Sequence, residues 1–477
     1  MTEESLKKKT AKGLVWSSVE RFSVQGVGFI VTLVIARVLS PADYGLVGML
    51  AIFMAVAQTL IDSGFSQALI RKQNRTEEDN STVFYFNIVV SSVLYLLLYV
   101  VSPFVADFYE EPQLCSLMRV LCLLIIINGL AVVQRSIFTA AIDLKTQAKA
   151  SFTAAIISGG VGIWMAYSNY GVWTLVWQQL LNGAINTILL WYFSSWYPRW
   201  VFSWKSFREL FAFGSKLMAS GLLDTMYTNM YTLVIGKIFS AASLGYYAQA
   251  DRFAKLPSSN LTGILQRVVY PVLCTLQDDD KKLREDYRKL LRLSAFVVFP
   301  LMCMLAAIAY PLIVLLLGEK WHYAATLLIP VCFTMMWYPI HAINLNLLQV
   351  KGRSDLFLKL EIIKKILGIL ILAISIPFGL LVMCYAGIVI SILCFSINTF
   401  YTGKLIRVGF FMQTKDLTGT LVLSVFMFST IFFSLSMFER PVLQVIVGIL
   451  EGVFIYLGGG YFLNFKEIKY ILSYFKQ

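Results

Sequence analysis

The chain has 477 residues, 58% of them hydrophobic and only 14% charged, with a mean hydropathy of +0.72. Soluble domains run at about 25% charged, so this composition belongs to an integral membrane protein. The net charge of +13 does not point to nucleic acid, because the basic residues cluster in short loops between apolar runs, where they report topology.

The N-terminal MTEESLKKKTAKG is basic and precedes an apolar run, as in a signal peptide. That run is long, is interrupted by Glu20 and Arg21, and ends without an A-x-A-like site, so it reads as a retained first helix. Apolar stretches bounded by loop signals divide the chain into about fourteen spans, at 13–38, 44–70, 81–106, 114–138, 150–168, 171–194 and 208–239, then 244–275, 290–317, 323–349, 355–377, 380–403, 416–436 and 442–464. The fold class expected is therefore an all-α polytopic membrane protein.

Orientation follows from the loops. With a cytosolic N-terminus, roughly two dozen Lys and Arg residues fall on one side, from Lys7 through Arg71, Lys149, Lys282, Arg353 and Arg407 to Lys476. The other side offers little beyond Lys320 and Arg440, and its loop DFYEEPQ is acidic. Under the positive-inside rule both termini are cytosolic. The outer loops (SNYG, LGEKWH, IPFG) are too short to house a catalytic domain. Asp278 to Asp280 matches the DxD pattern of metal-dependent glycosyltransferases, but no nucleotide-binding domain accompanies it, and a solvated loop is the better reading. The pattern GxxxxGK[ST] is absent, so ATP hydrolysis is not expected. Seven scattered cysteines without CxxC spacing, and two isolated histidines, His322 and His341, offer neither a disulfide framework nor a zinc site. No metal and no cofactor is expected, and the chain is not expected to be an enzyme.

An internal repeat runs through the chain. VIARVLSPADYGLV at 34–47 aligns without gaps to VIGKIFSAASLGYY at 234–247, pairing Arg37 with Lys237, Ser40 with Ser240 and Gly45 with Gly245. The copies lie six spans apart and so share one orientation, the pattern of a parallel repeat with a cavity expected between the halves. The expected organisation is an N-lobe at 1–195 (spans one to six), a C-lobe at 196–405 (spans seven to twelve) and a C-terminal helix pair with a tail at 406–477. Arg37 and Lys237 close the outer ends of spans one and seven, either as residues snorkelling to the interface or as a basic outer rim.

Ionisable residues inside spans are costly in lipid and mark a wet cavity or internal pairing. They concentrate in a few spans: Glu20 and Arg21 in the first, Asp62 in the second, Lys216 and Asp224 in the seventh, and Lys359, Glu361, Lys364 and Lys365 in the eleventh. The eighth holds Asp251, Arg252 and Lys255, and on a helix Arg252, Lys255, Ser259, Gly263 and Gln266 form one stripe. A cationic stripe there fits an anionic passenger; the equally open alternative pairs Asp251 with Lys255 one turn on.

LSPADYGLVGM, DSGFSQALIRKQNRTEEDNSTVFYFN and LGYYAQADRFAKLPSSNLTGILQRVVYPVL resemble the Wzx-type polysaccharide translocases, in the colanic-acid-exporter-like branch of the MOP flippase superfamily. The resemblance covers spans one to three and seven to eleven, and the last hundred residues only in hydropathy. It implies fourteen helices, two lobes and alternating access. The implied cargo is an undecaprenyl-diphosphate-linked oligosaccharide, moved from the cytosolic to the outer leaflet of a bacterial inner membrane, with polysaccharide polymerase or ligase machinery as partner. Arg21, Lys216, Arg252, Lys255, Lys359, Lys364 and Lys365 are then candidates for the diphosphate and sugar, and Glu20, Asp62, Asp224, Asp251 and Glu361 for coupling to H+ or Na+ or for ion pairing. Where many relatives carry an Asp before an xxxIG motif, this chain has Tyr231 before TLVIG, which leaves coupling to Asp224 or absent. A drug exporter of the same superfamily is the alternative, though its cavity would more often be acidic. A membrane ligase or polymerase is disfavoured by the short outer loops.

Overall fold

The computed structural model describes residues 23–62, 64–72 and 74–468, except for the side chains of Lys216, Arg267 and Val268. Glu20 and Arg21 lie outside the described residues, and of Lys216 only the backbone is described. The described residues form helices and no strand. The chain divides into two compact units, Met1–Gly245 and Tyr246–Gln477.

The first unit holds α1 (Ser23–Val38), α2 (Pro41–Asp62), α3 (Phe65–Arg71), α4 (Glu77–Tyr109), α5 (Gln113–Leu121) and α6 (Leu123–Gly129). It continues with α7 (Val132–Ala140), α8 (Leu144–Tyr167), α9 (Trp173–Phe193), α10 (Trp204–Thr228) and α11 (Met230–Ile238). Helix α12 (Ala241–Thr275) begins in the first unit and runs into the second. The second unit adds α13 (Asp280–Ala307), α14 (Ala309–Leu317), α15 (His322–Met335), α16 (Tyr338–Val350), α17 (Ser354–Ser375), α18 (Leu380–Ile406), α19 (Phe410–Ser434) and α20 (Pro441–Phe462).

Within the described residues each apolar stretch expected from the sequence coincides, in order, with one helix or one interrupted helix; residues 13–22 of the first stretch lie outside them. Among the described residues eight helices are long and apolar enough to cross a membrane, or nine if the segment bent by 40° between Gly129 and Val132 is one span. Helices α9, α10 and α12 fall outside that count because polar residues lower their hydropathy, and α17 because it carries four charged residues, Lys359, Glu361, Lys364 and Lys365, in an otherwise strongly apolar stretch. Helix is the form that satisfies every backbone N–H and C=O within one segment, as hydrocarbon surroundings require. Exposed Leu96, Leu97, Val100 and Phe104 on α4, and Leu450 and Phe454 on α20, are the lipid-side surface such a protein needs.

Polar caps hold the helix ends. Thr76 and Asp79 form a reciprocal capping box at the start of α4. Asp279 caps α13 by accepting from the Lys282 N–H at 3.1 Å, a contact that holds this exposed carboxyl below its ordinary range. Lys72 bonds both Asp79, at 3.0 Å, and Glu209, at 3.1 Å, which ties the loop after α3 to α4 and α10.

The two copies of the repeat meet each other within the first unit. A Cβ on Gly45 would collide with the carbonyl of Ala241, and a Cβ on Gly245 with the carbonyl of Pro41. Position 41 aligns with 241 and 45 with 245, so the contact is reciprocal: each copy lays its glycine on the start of the other copy's helix. The preceding turns are capped alike, Ser40 with Asp43 (2.6 Å) and Ser240 with Ser243 (2.9 Å). Only glycine permits backbones this close. Gly45→Val and Gly245→Val are therefore expected to lower the melting temperature of the purified protein sharply, since overpacking costs about 1–3 kcal/mol or more where backbone cannot yield. Gly160→Ala, where an added Cβ meets nothing within 4 Å, should leave it nearly unchanged. Equal melting curves for all three variants would contradict the reciprocal contact.

Candidate functional site

Several charged residues singled out in the sequence are brought into pairs. Lys255 Nζ lies 2.7 Å from Asp251 Oδ2 on α12, with Asp251 largely enclosed and Lys255 half exposed. Lys364 is buried on α17 and lies 2.5 Å from Glu361 Oε1. Lys237 lies 3.0 Å from Glu110 and stacks 5.1 Å from the Phe108 ring centroid. The carboxylate of Asp62 accepts from the Gln58 amide. Arg37, Asp224 and Lys359 are exposed, and Arg252 and Lys365 are half-buried. The internal pairing left open for Asp251 and Lys255 is thus realised. On α12 the enclosed side is Ala250, Phe253, Ala254, Ser258 and Thr262, anchored by Ser258 Oγ donating to the Met335 carbonyl at 2.7 Å. Of the stripe residues, Lys255 and Gln266 are exposed, and Arg252, Ser259 and Gly263 are half-buried.

A polar cavity that was not anticipated from the charges lies inside the first unit. A pocket of about 320 Å³ between α6, α7 and α9 is lined by Asn128, Arg135, Gln178, Gln179, Asn182 and Asn186, with Leu124 and Gly183. Ligand pockets run from about 300 to 1,000 Å³, so it suits a small polar group. Gln178, Asn182 and Asn186 are four residues apart and share one face of α9. The break between α6 and α7 places Asn128 and Arg135 opposite that face. Gly183 sits so close to Leu124 that a Cβ there would collide with it, which lets α9 approach α6.

A chain of side chains holds the pocket in shape. Asn128 Nδ2 donates to Gln58 Oε1 at 2.8 Å, and Gln58 in turn donates to Asp62. Asn182 Nδ2 donates to Ser158 Oγ at 3.1 Å, which fixes α9 to α8. Arg135 has no carboxylate within ion-pair distance among the described residues, although the charge of Asp62 acts on it. Asn186 Oδ1 is buried without a hydrogen-bond partner among the described residues. Buried polar atoms normally find partners, so an orphan lining a cavity marks a place for a polar occupant.

Chemically, the pocket offers neutral amides that donate and accept, plus one guanidinium. Vicinal hydroxyls match the first, and a phosphate or carboxylate matches the second. Among the described residues no cluster of three metal-ligating side chains occurs. The signal in the sequence was the Gln178–Asn182–Asn186 period inside an otherwise apolar stretch, which attention to charged residues passed over. Asn128→Leu is expected to cost about 1–3 kcal/mol by stranding the Gln58 carbonyl. Adding Gln58→Leu should recover part of that cost, so the double variant melts above the additive value. Strict additivity in thermal unfolding would show that the amide pair is not coupled.

The chain is 27% identical to the lipopolysaccharide biosynthesis protein WzxC of Escherichia coli (strain K12), over 76% of this chain and 75% of that one. It is 26% identical to the teichuronic acid biosynthesis protein TuaB of Bacillus subtilis (strain 168), over 74% and 73%. Its fold matches that of the lipid II flippase MurJ in an inward closed conformation, with a TM-score of 0.77, 15% identity and coverage of 94% and 99%. These likenesses make it a multi-pass membrane protein of the polytopic helical kind. The family model described as polysaccharide biosynthesis protein matches residues 34–326, well over half of the chain, and the protein belongs to that family.

Proposed function

We propose that the protein is a non-enzymatic flippase that carries an undecaprenyl-diphosphate-linked oligosaccharide from the cytosolic to the outer leaflet of a bacterial inner membrane by alternating access. The observation that carries this reading is the amide-lined pocket with its single guanidinium, set inside a fold shared with a lipid II flippase. A translocase must hold a glycan without altering it. Neutral amides do so through many modest hydrogen bonds, each worth about 0.5–1.5 kcal/mol net, and release it again. In this reading Arg135 and the α9 amides receive the sugar, and within the second unit Lys255 and Lys364 are the groups suited to a diphosphate, whose oxygens would replace Asp251 and Glu361 as their partners. Both termini lie in the cytosol, on the side of the Lys/Arg-rich loops.

The names of the relatives support a polysaccharide cargo, and their difference, lipopolysaccharide for one and teichuronic acid for the other, fits a family whose members differ in the glycan they handle. A drug exporter of similar fold is less well supported: cationic drugs need unpaired carboxylates, and the pocket is lined by amides and an arginine.

A deletion strain should accumulate one complete undecaprenyl-linked repeat unit that an impermeant sugar-modifying reagent cannot reach. Arg135→Gln and Asn182→Leu should each reproduce that accumulation while folded protein persists in the membrane, with surface polymer reduced about tenfold or more. Joint replacement of Arg252 and Lys255 by Gln should do the same. Intermediates fully accessible from outside would move the defect to a later step, and normal polymer in the Arg135 variant would remove the pocket from the transport path.

A further inference from the structure

A second cavity, in the second unit, is unrelated to the pocket just described. It measures about 830 Å³ and lies where the N-terminal half of α13, the α18–α19 turn and the segment after α20 converge. Five cations and two carboxylates line it. Arg288 binds Asp416 through two nitrogens, both at 2.6 Å. Arg292 spans Asp416, at 3.4 Å, and Glu467, at 3.2 Å. Those four groups neutralise one another. Arg407, Lys415 and Lys466 remain, and none has a carboxylate within ion-pair distance among the described residues.

Two further features point the same way. Helix α19 opens into the cavity at Phe410 with Gly409 as N-cap and no side-chain cap, so the N–H groups of its first turn face the cavity unpaired by side chains. The surroundings are apolar and open: Phe411 is 87% exposed, and Tyr461, Phe462 and Leu463, just before the cavity residue Asn464, are 69%, 84% and 60% exposed. The frame is rigid. Gln413, fully buried, bonds Thr402 at 2.8 Å, the Val408 carbonyl at 3.0 Å and Asn344 at 3.2 Å, and Asn344 accepts from Tyr287 at 3.0 Å.

We propose that this cavity is a binding site for the phosphate of an anionic glycerophospholipid of the surrounding bilayer, with the acyl chains lying along the exposed aromatic residues at the ends of α19 and α20. A soluble phosphate would use the cations but not the apolar rim, and a zwitterionic lipid would use the rim but not the excess positive charge. Basic pockets among the ends of transmembrane helices have the charge and position to hold anionic head groups.

The test uses the full-length protein in detergent, with lipid adducts read by native mass spectrometry against equal concentrations of phosphatidylglycerol and phosphatidylcholine. Wild type is expected to retain phosphatidylglycerol preferentially. The triple variant Arg407→Gln, Lys415→Gln, Lys466→Gln should lose that preference by about tenfold or more, with phosphatidylcholine unaffected. A matched variant, Lys145→Gln, Lys149→Gln, Lys205→Gln, should keep it. Equal losses in the two variants, no preference in wild type, or an unaltered preference in the first variant would each overturn the proposal. Displacement of the lipid by equimolar glycerol 3-phosphate would also overturn it, by assigning the cavity to a soluble phosphate. If the triple variant does not elute as a single species, Arg407→Gln alone, read the same way, decides. No transport is measured, so the outcome is independent of the flippase reading.

Discussion

Hydrocarbon surroundings offer no hydrogen bonds, so a protein that spans them must satisfy its polar groups from within, and nearly every feature described above answers that demand. The backbone does so by being helical. Charged side chains do so in short-range pairs such as Asp251 with Lys255 and Glu361 with Lys364. Amides do so in chains, from Asp62 through Gln58 to Asn128 in the first unit and from Tyr287 through Asn344 to Gln413 in the second. Removing one member of such a chain leaves the next unpaired, which makes the networks rigid and selective at once.

The same demand separates structural polarity from functional polarity. A satisfied network is a brace. A polar wall with an unpartnered acceptor, as at Asn186, or with a guanidinium that has no carboxylate within ion-pair distance among the described residues, as at Arg135, is not braced in this way. In the second unit the distinction divides one cavity: Arg288 and Arg292 belong to the brace through Asp416 and Glu467, while Arg407, Lys415 and Lys466 are left over.

Close backbone approach is the second recurring device. The reciprocal seating of Gly45 on Ala241 and of Gly245 on Pro41 joins the two copies of the repeat by main chain, with no side chains to interdigitate. Small residues are the usual means of helix contact where no hydrophobic force distinguishes protein from lipid. Gly183 against Leu124 uses the same device at the amide pocket, where it brings α9 near enough to α6 for their polar residues to share one cavity.

The positions of the helices were legible in the sequence, because length and apolar composition decide what can be buried in a bilayer irrespective of what neighbours it. The repeat at 34–47 and 234–247 was legible for a similar reason, as a linear pattern. The pairing of Asp251 with Lys255 was legible as one of two open readings, because helical periodicity is local and sets them one turn apart. Partners distant in the chain were not legible. Glu110 for Lys237, Asp416 for Arg288 and Gln58 for Asn128 lie 127, 128 and 70 residues away, and no periodicity selects them. Nor could charge alone reveal the amide pocket, since a neutral Gln or Asn in a span is read as tolerable wherever it falls. Only packing α6, α7 and α9 together turns Gln178, Asn182, Asn186 and Arg135 into one surface, because a cavity is a property of the space between helices.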